Sequence, residues 1–181
     1  MRPFHFPTFL ASVLLMFTLA ACSPEYNWRD YRSPHAPFTV MFPDKPSTHT
    51  REVNLNGLVV AMTMTAVDIN GNMFAVGTAE APDAARAQAA LAAMKTALVN
   101  NIGATIKSEK AGKLSAAAGA RSVPGAAIDL EAVGQNKGEA MRLVGHFEAR
   151  DKRFYQVIVM GKARELTKEN VDMFMSSFQL Q

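Results

Sequence analysis

The chain has 181 residues, a formal net charge of +3 and a single cysteine. This length suits one domain, which at about 150 residues buries roughly two-thirds of its unfolded surface without needing a disulfide or a metal. One cysteine excludes an internal disulfide, and basic residues spread among acidic ones argue against a nucleic-acid partner. The densest basic group, residues 150–153, is predicted to be a solvated loop.

The first 21 residues have the layout of a secretory signal peptide. One positive charge, Arg2, precedes an apolar run from Phe9 to Leu19, and small residues follow that run. The run is shorter than the ~18 apolar residues that a membrane-spanning helix needs, and no later stretch approaches that length. We therefore predict that residues 1–21 are removed as a signal.

The sequence Leu19-Ala20-Ala21-Cys22 resembles the lipobox of bacterial lipoproteins. The resemblance implies cleavage before Cys22, a diacylglyceryl group on its sulfur, and usually an acyl group on the new amine. Two or three acyl chains hold a protein firmly at a membrane, whereas a single chain holds it only marginally. Ser23 follows the cysteine, which by resemblance to sorted lipoproteins favours the outer membrane. The expected location is thus a lipid-anchored envelope protein that faces the periplasm.

Residues 22–36 are predicted to be the lipidated cysteine and a tether, because prolines and polar groups argue against a regular element. Tyr26, Trp28 and Tyr31 are unusual in a free linker. They either dock on the domain or lie among lipid headgroups, where amphipathic rings are favoured. An extended tether, at about 3.5 Å per residue, would keep the domain of residues 37–181 within about 50 Å of the bilayer.

Strand patterns dominate the first part of the domain. Residues 38–42 alternate as one strand, and residues 43–50 are predicted to be a proline-bearing loop. A hairpin is then predicted with arms at 58–69 and 73–79. Asn70-Gly71 between the arms is the strongest short hairpin signal, since both central residues of the turn need a positive φ.

A helix is predicted over residues 84–102. Asp83 is placed to accept hydrogen bonds from the first-turn amides, and Gly103 to end the helix in a left-handed turn. Residues 104–108 are predicted to be a strand, whereas the alanine-rich stretch up to residue 123 lacks the bulk to specify an element. The helix carries one apolar stripe at spacings of three and four: Leu91, Met94, Leu98 and Ile102.

Three strands joined by short turns are predicted over 127–133, 139–150 and 153–161. The stretch 154–160 is apolar almost throughout, which predicts a central strand covered on both faces. A last helix is predicted to begin after its cap, Thr167. Its apolar residues share one face: Val171, Phe174, Met175 and Phe178.

This order of elements predicts an α+β fold. Successive strands connect through short turns, so the sheet of about six to seven strands is antiparallel and the two helices must cover it. One helix on each face explains the doubly apolar strand. The predicted architecture is an α/β/α sandwich.

Three motifs stand in order along the domain: Phe-x-Val-x-Phe-Pro-x-x-Pro at 38–46, a tyrosine-containing strand at 153–159, and Phe-x-x-Ser-Phe at 174–178. Together they resemble the small bacterial domains, mostly of unknown function, that share the Mog1/PsbP-like α/β/α sandwich. The resemblance spans about 37–181 and implies that fold without a catalytic signature. The better-known members are binding modules, for a photosystem or a small GTPase, and neither partner is implied for an exported lipoprotein.

A polar cluster is the candidate site. If the strands at 127–133 and 139–150 pair, one face could carry five polar side chains: Asp129, Glu131, Arg142, His146 and Glu148. Such a cluster could bind a polar ligand or a partner, or respond to pH. Cross-strand charge pairs on a wet sheet face explain it equally well.

The sequence offers little support for metal or catalytic chemistry. Met62 and Met64 point the same way along a strand and raise the question of soft-metal binding, but methionine is ordinary core filler. The other mature-chain histidines, His35 and His49, are predicted to lie in the tether and in a loop. Because the lipobox assigns Cys22 to lipid, no nucleophile with a base is recognised. We expect no metal, no cofactor and no enzyme activity.

The favoured function is therefore a non-catalytic accessory lipoprotein that binds another envelope protein, an unknown one. A small-ligand or lipid carrier with a cavity between sheet and helix is the alternative. A hydrolase-type enzyme is the third hypothesis.

Overall fold

The computed structural model describes residues 25–116 and 125–181. The predicted signal peptide, the predicted lipidation site Cys22 and the alanine-rich residues 117–124 lie outside the described residues. The described elements in chain order are β1 (Arg29–Arg32), β2 (Phe38–Phe42), β3 (Ser47–Leu55), β4 (Leu58–Ile69), β5 (Asn72–Glu80), α1 (Ala84–Asn101), β6 (Thr105–Ala111), β7 (Gly125–Asn136), β8 (Glu139–Arg150), β9 (Arg153–Lys162), α2 (Lys168–Ser177) and β10 (Gln179–Leu180).

Seven strands form one antiparallel sheet in the order β3-β4-β5-β9-β8-β7-β6, and a second sheet has the order β1-β2-β10. Helix α1 packs on one face of the large sheet, and α2 packs with the small sheet on the other. The predicted α+β sandwich with an antiparallel sheet and two helices is confirmed.

Strand β9 lies at the centre of the large sheet and is covered on both faces, as its apolar sequence predicts. Phe154 and Ile158 belong to the core beneath α1, whereas Val157 and Val159 belong to the core beneath α2. All four side chains are fully buried or nearly so. The alternation of a strand thus supplies two separate cores from one segment.

The predicted turns and caps are present. Asn70 and Gly71 have φ values of 54° and 87°, and Gly103 follows α1 with a φ of 56°. The Asp83 side chain accepts a hydrogen bond from the first turn of α1, and the Thr167 hydroxyl does the same for α2.

Two segments depart from the sequence expectation. The loop predicted over 43–50 is wrong from Ser47 onward, because Ser47–Leu55 forms the edge strand β3. Its residues are mostly exposed, so no apolar alternation announces it, and threonine side chains join it to β4. Arg29–Arg32 forms β1 and pairs with β2, although prolines and polar groups argued against a regular element there.

The small sheet is fastened to α2 through the Phe-x-x-Ser-Phe motif. The Ser177 hydroxyl accepts a hydrogen bond from Met41 N at 2.9 Å and donates to the Phe174 carbonyl at 2.8 Å. The Phe178 ring lies 5.8 Å from the rings of both Phe38 and Tyr155. These contacts give the motif a packing role.

Candidate functional site

The pairing of β7 with β8 places the candidate polar residues on one face of the large sheet. Asp129 lies opposite His146, and Glu131 lies opposite Val144. Val144 packs with the core beneath α2, whereas Leu143 packs with the core beneath α1. The face toward α2 therefore carries the whole set: Asp129, Glu131, Arg142, His146 and Glu148.

The outer part of the set is an ion pair at the surface. Arg142 Nε donates to Glu131 Oε1 at 2.8 Å, and the side chains are 28% and 41% exposed. An exposed pair of this kind stabilises a fold by at most about 1 kcal/mol, because water screens it. Both charges remain within reach of a binding partner.

His146 lies between two carboxylates. Its Nδ1 is 2.7 Å from Asp129 Oδ1, and its Nε2 is 3.1 Å from Glu148 Oε2. Burial by itself lowers the pKa of His146, but the hydrogen bonds to Glu148 and Asp129 outweigh burial and raise the pKa above its ordinary value of 6.5. The protonated ring donates a hydrogen bond from each nitrogen.

Glu148 is the buried charge at the centre of the set, with no exposed side-chain surface. Its Oε1 accepts from Arg150 Nε at 2.6 Å, and its Oε2 accepts from the Ser115 amide at 2.9 Å as well as from His146. Burial alone would raise the pKa of Glu148, but these donors hold it at about 2. The carboxylate is therefore ionised at neutral pH.

This carboxylate fixes the segment 112–116, here called the crossing segment. Gly112 N donates to the Ala127 carbonyl on β7, and Leu180 N on β10 donates to the Ala116 carbonyl, both at 2.9 Å. The Arg150 guanidinium donates to the Ser115 carbonyl. The crossing segment thus links the large sheet to the small one, and Glu148 with Arg150 holds its middle.

Sequence reasoning missed two members of this arrangement. Arg150 was placed in a solvated loop, yet the alternation from Glu148 puts both side chains on the same face of β8. Ser115 takes part through its amide and carbonyl, so its side-chain identity carries no signal. The alternative explanation, charge pairs on a solvent-exposed sheet face, fits Arg142 and Glu131 but not the fully buried Glu148.

Clefts lie beside both helices in the described part of the chain. A cleft of about 360 Å³ between α2 and β6–β8 is lined in part by Ser108, Lys110 and Glu131. On the other face, two clefts of about 460 and 290 Å³ lie between α1 and the β3–β4 hairpin. The linings of these two include Leu55, Leu58, Met62, Ala90, Met94 and Leu98.

Met62 and Met64, which raised the question of soft-metal binding, both lie in packing contacts beneath α1. Met62 is buried in the core beneath α1, and the Met64 sulfur is 3.3 Å from Gln156 Nε2. His35 and His49 are exposed, and His49 lies on β3, at the edge of the large sheet remote from β8. Within residues 25–116 and 125–181, no group of three or more His, Cys, Asp or Glu residues is arranged to hold a metal ion.

In the same described residues, no helix has the length and apolar character to cross a membrane. No protein-family model and no curated protein sequence matches the chain. Among solved structures, the chain is similar to PA94, a protein of unknown function from Pseudomonas aeruginosa. The two share 15% identity over 77% of this chain and 86% of that chain, with a TM-score of 0.35, and so distant a likeness carries no argument about function.

Proposed function

We propose that this protein is an envelope lipoprotein, anchored through Cys22, that acts as a non-catalytic accessory module and binds another envelope protein. The absence of a catalytic role is supported by the surroundings of His146, whose two ring nitrogens both face carboxylates of the same chain. The lipobox-like sequence before Cys22 carries the anchoring part.

A general base needs a free lone pair that faces the substrate. The hydrogen bonds of His146 to Asp129 and Glu148 favour the protonated ring, in which each N–H group already has an acceptor. Both oxygens of Glu148 accept hydrogen bonds inside the protein. These groups are used to hold the crossing segment, which makes a hydrolase-type role the weaker hypothesis.

The surface we assign to a protein partner is the outer part of β6–β8 on the side of α2, here called the β6–β8 face. It is defined by Ser108, Lys110, Glu131 and Arg142. In the part of the chain that the structure describes, β6 is an edge strand and is exposed along its length. An edge strand accepts a partner's backbone, and the mixed charges beside it supply specificity.

Site-specific photo-crosslinking in living cells tests this proposal. A photo-crosslinking residue replaces Lys110 on the β6–β8 face, and a matched control replaces Glu52 on β3, the exposed strand at the other edge of the sheet. We expect one defined envelope protein to be captured from Lys110 and not from Glu52.

A second variant links the capture to the charges of the face. Glu131→Lys places two cations side by side where the ion pair with Arg142 stood, and it should reduce the yield of the crosslink. Equal capture from Lys110 and Glu52, or no defined product from either position, would contradict the proposed surface.

A carrier role is the second candidate, supported by the clefts between α1 and the β3–β4 hairpin. The larger of them, at about 460 Å³, has the volume of a small-ligand site, and both linings combine polar groups with apolar side chains such as Leu58 and Met94. Native mass spectrometry of the soluble fragment 23–181 should then show a co-purified small molecule. A spectrum with only the protein mass counts against this candidate.

A further inference from the structure

The residues that follow the predicted lipidation site are bound to the domain. Asn70 Nδ2 donates to Glu25 Oε1 at 2.9 Å, and Asn27 N donates to the Pro43 carbonyl at 2.7 Å. From Arg29 the chain continues as β1, paired with β2. The chain is thus held in place from residue 25 onward.

Aromatic packing reinforces these hydrogen bonds. The rings of Tyr26 and Trp28 stack with their centroids 6.0 Å apart, and each meets the edge or face of Phe74 at about 6 Å. Phe74 is fully buried on β5 in the core beneath α2. Of the two fates that the sequence left open for Tyr26 and Trp28, docking on the domain is the observed one.

Little chain remains between the predicted lipid and the first bound residue. Only Ser23 and Pro24 separate Cys22 from Glu25. Three residue steps span at most about 10 Å, even when fully extended. The reach of about 50 Å expected for a free tether therefore does not apply.

Glu25 marks one end of the large sheet. Its partner Asn70 is in the β4–β5 turn, and the β5 end after this turn lies beside the end of β9, since Met73 pairs with Met160. The β8–β9 turn at Asp151-Lys152 lies at the opposite end of the same sheet.

We propose that the lipid anchor holds the β4–β5 turn end of the sheet against the bilayer surface, and that the β8–β9 turn end points away from it. This orientation rests on the proposed lipidation of Cys22. The partner of the near end is the bilayer itself, because about 10 Å of chain cannot carry the domain elsewhere.

The two cations at the end of β9 and just after it are paired with carboxylates. Lys162 and Arg164 are matched by Glu139 and Glu165, at distances of 2.9 to 3.6 Å. The orientation is therefore set by the chain, and it should persist when salt screens charge attraction.

Two labels at the ends of β9 test the orientation. Ala163→Cys and Lys152→Cys are exposed positions at the near and far ends of this central strand, and the strand rise places them about 35 Å apart. Because Cys22 is the only natural cysteine, the lipidated protein has one free thiol for a fluorophore. The full lipidated protein is reconstituted in phosphatidylethanolamine–phosphatidylglycerol vesicles that carry nitroxide headgroups.

We expect the label at residue 163 to lose most of its emission and the label at residue 152 to keep it, at low and at high salt. As a control, fifteen Gly/Ser residues inserted between Pro24 and Glu25 add about 20 Å of flexible chain and should remove the difference. Equal quenching of the two labels without the insertion, in protein that carries lipid and floats with vesicles, overturns the orientation alone. Protein that carries no lipid and does not float overturns the proposed anchoring and the orientation with it.

Discussion

Replacing Glu148 by glutamine should lower the free energy of unfolding, because the carboxylate is the buried acceptor for three donors. A pKa of about 2 instead of 4.5 corresponds to about 3 kcal/mol in favour of the charged form at neutral pH. Glutamine keeps the shape, but its NH2 group replaces one carboxylate oxygen and so turns a donor either toward Arg150 or toward Ser115 and His146, and the negative charge is lost. Removing one partner of a buried charged network costs about 3 to 5 kcal/mol.

The assay is urea unfolding of the Cys22→Ser form, followed by the fluorescence of Trp28, the one tryptophan. We expect Glu148→Gln to lower the free energy of unfolding by about 3 kcal/mol, or the melting temperature by roughly 10 °C. Glu131→Gln is the matched control, because it removes an exposed carboxylate on the same face and should cost at most about 1 kcal/mol. Equal effects of the two substitutions would refute the claim that Glu148 holds the crossing segment in place.

Three further predictions address pH, the bound N-terminal segment and a tight backbone contact. Glu148 has a lowered pKa, so its contribution to stability is complete above pH 4.5 and is lost as the pH falls toward about 2. His146 has a raised pKa, so its contribution to stability is complete below pH 6.5 and is lost as the pH rises through the folded-state pKa. Urea titrations at different pH values should therefore find maximal stability between pH 4.5 and 6.5. A maximum elsewhere would contradict the pairing of His146 with Glu148. Trp28→Ala removes a ring from the aromatic cluster and should cost about 1 to 3 kcal/mol in thermal unfolding, whereas a free tether would show no loss. Gly161→Ala brings a Cβ against the Asn72 side-chain oxygen and to 2.9 Å from the Asn72 Cα, and it should cost about 1 to 3 kcal/mol in the same assay. An unchanged melting temperature would show that Asn72 and its backbone move aside easily.

Local sequence patterns predicted most elements of the fold. The alternation of 38–42 and the unbroken apolar run at 154–160 predicted a first strand and a central strand, because side-chain period and burial are linked in a sheet. Asp83, Thr167 and Asn70-Gly71 predicted helix starts and a hairpin, because caps and turns depend on a few neighbouring atoms. The structure has these features at the predicted places.

The segments that sequence reasoning missed depend on distant partners. The edge strand β3 is exposed and polar, so only its hydrogen bonds to β4 define it. Strand β1 forms because β2 offers an edge to pair with and because Tyr31 packs on the rings of Phe38 and Phe42. Such long-range contacts produce no periodic pattern of apolar residues in the local sequence.

The sequence predicted which polar residues share the candidate site, but it did not predict that Glu148 is buried. The alternation in β7 and β8 places Asp129 and His146 together once the strands pair. The burial of Glu148 follows from the crossing segment above it, where Ser115 bonds through backbone atoms that every residue type possesses. Side-chain identity therefore gave no warning that this carboxylate is the structural centre.

The central claim is that Cys22 anchors this module to a membrane. Intact-mass spectrometry of the protein purified from membranes tests it most directly, with the Cys22→Ser variant alongside. We predict that the mature chain begins at Cys22 and carries diacylglyceryl and acyl groups, and that Cys22→Ser carries no lipid and leaves the membrane fraction. A Cys22→Ser variant that still carries lipid and sediments with membranes, or a wild-type mass without lipid, would contradict the account.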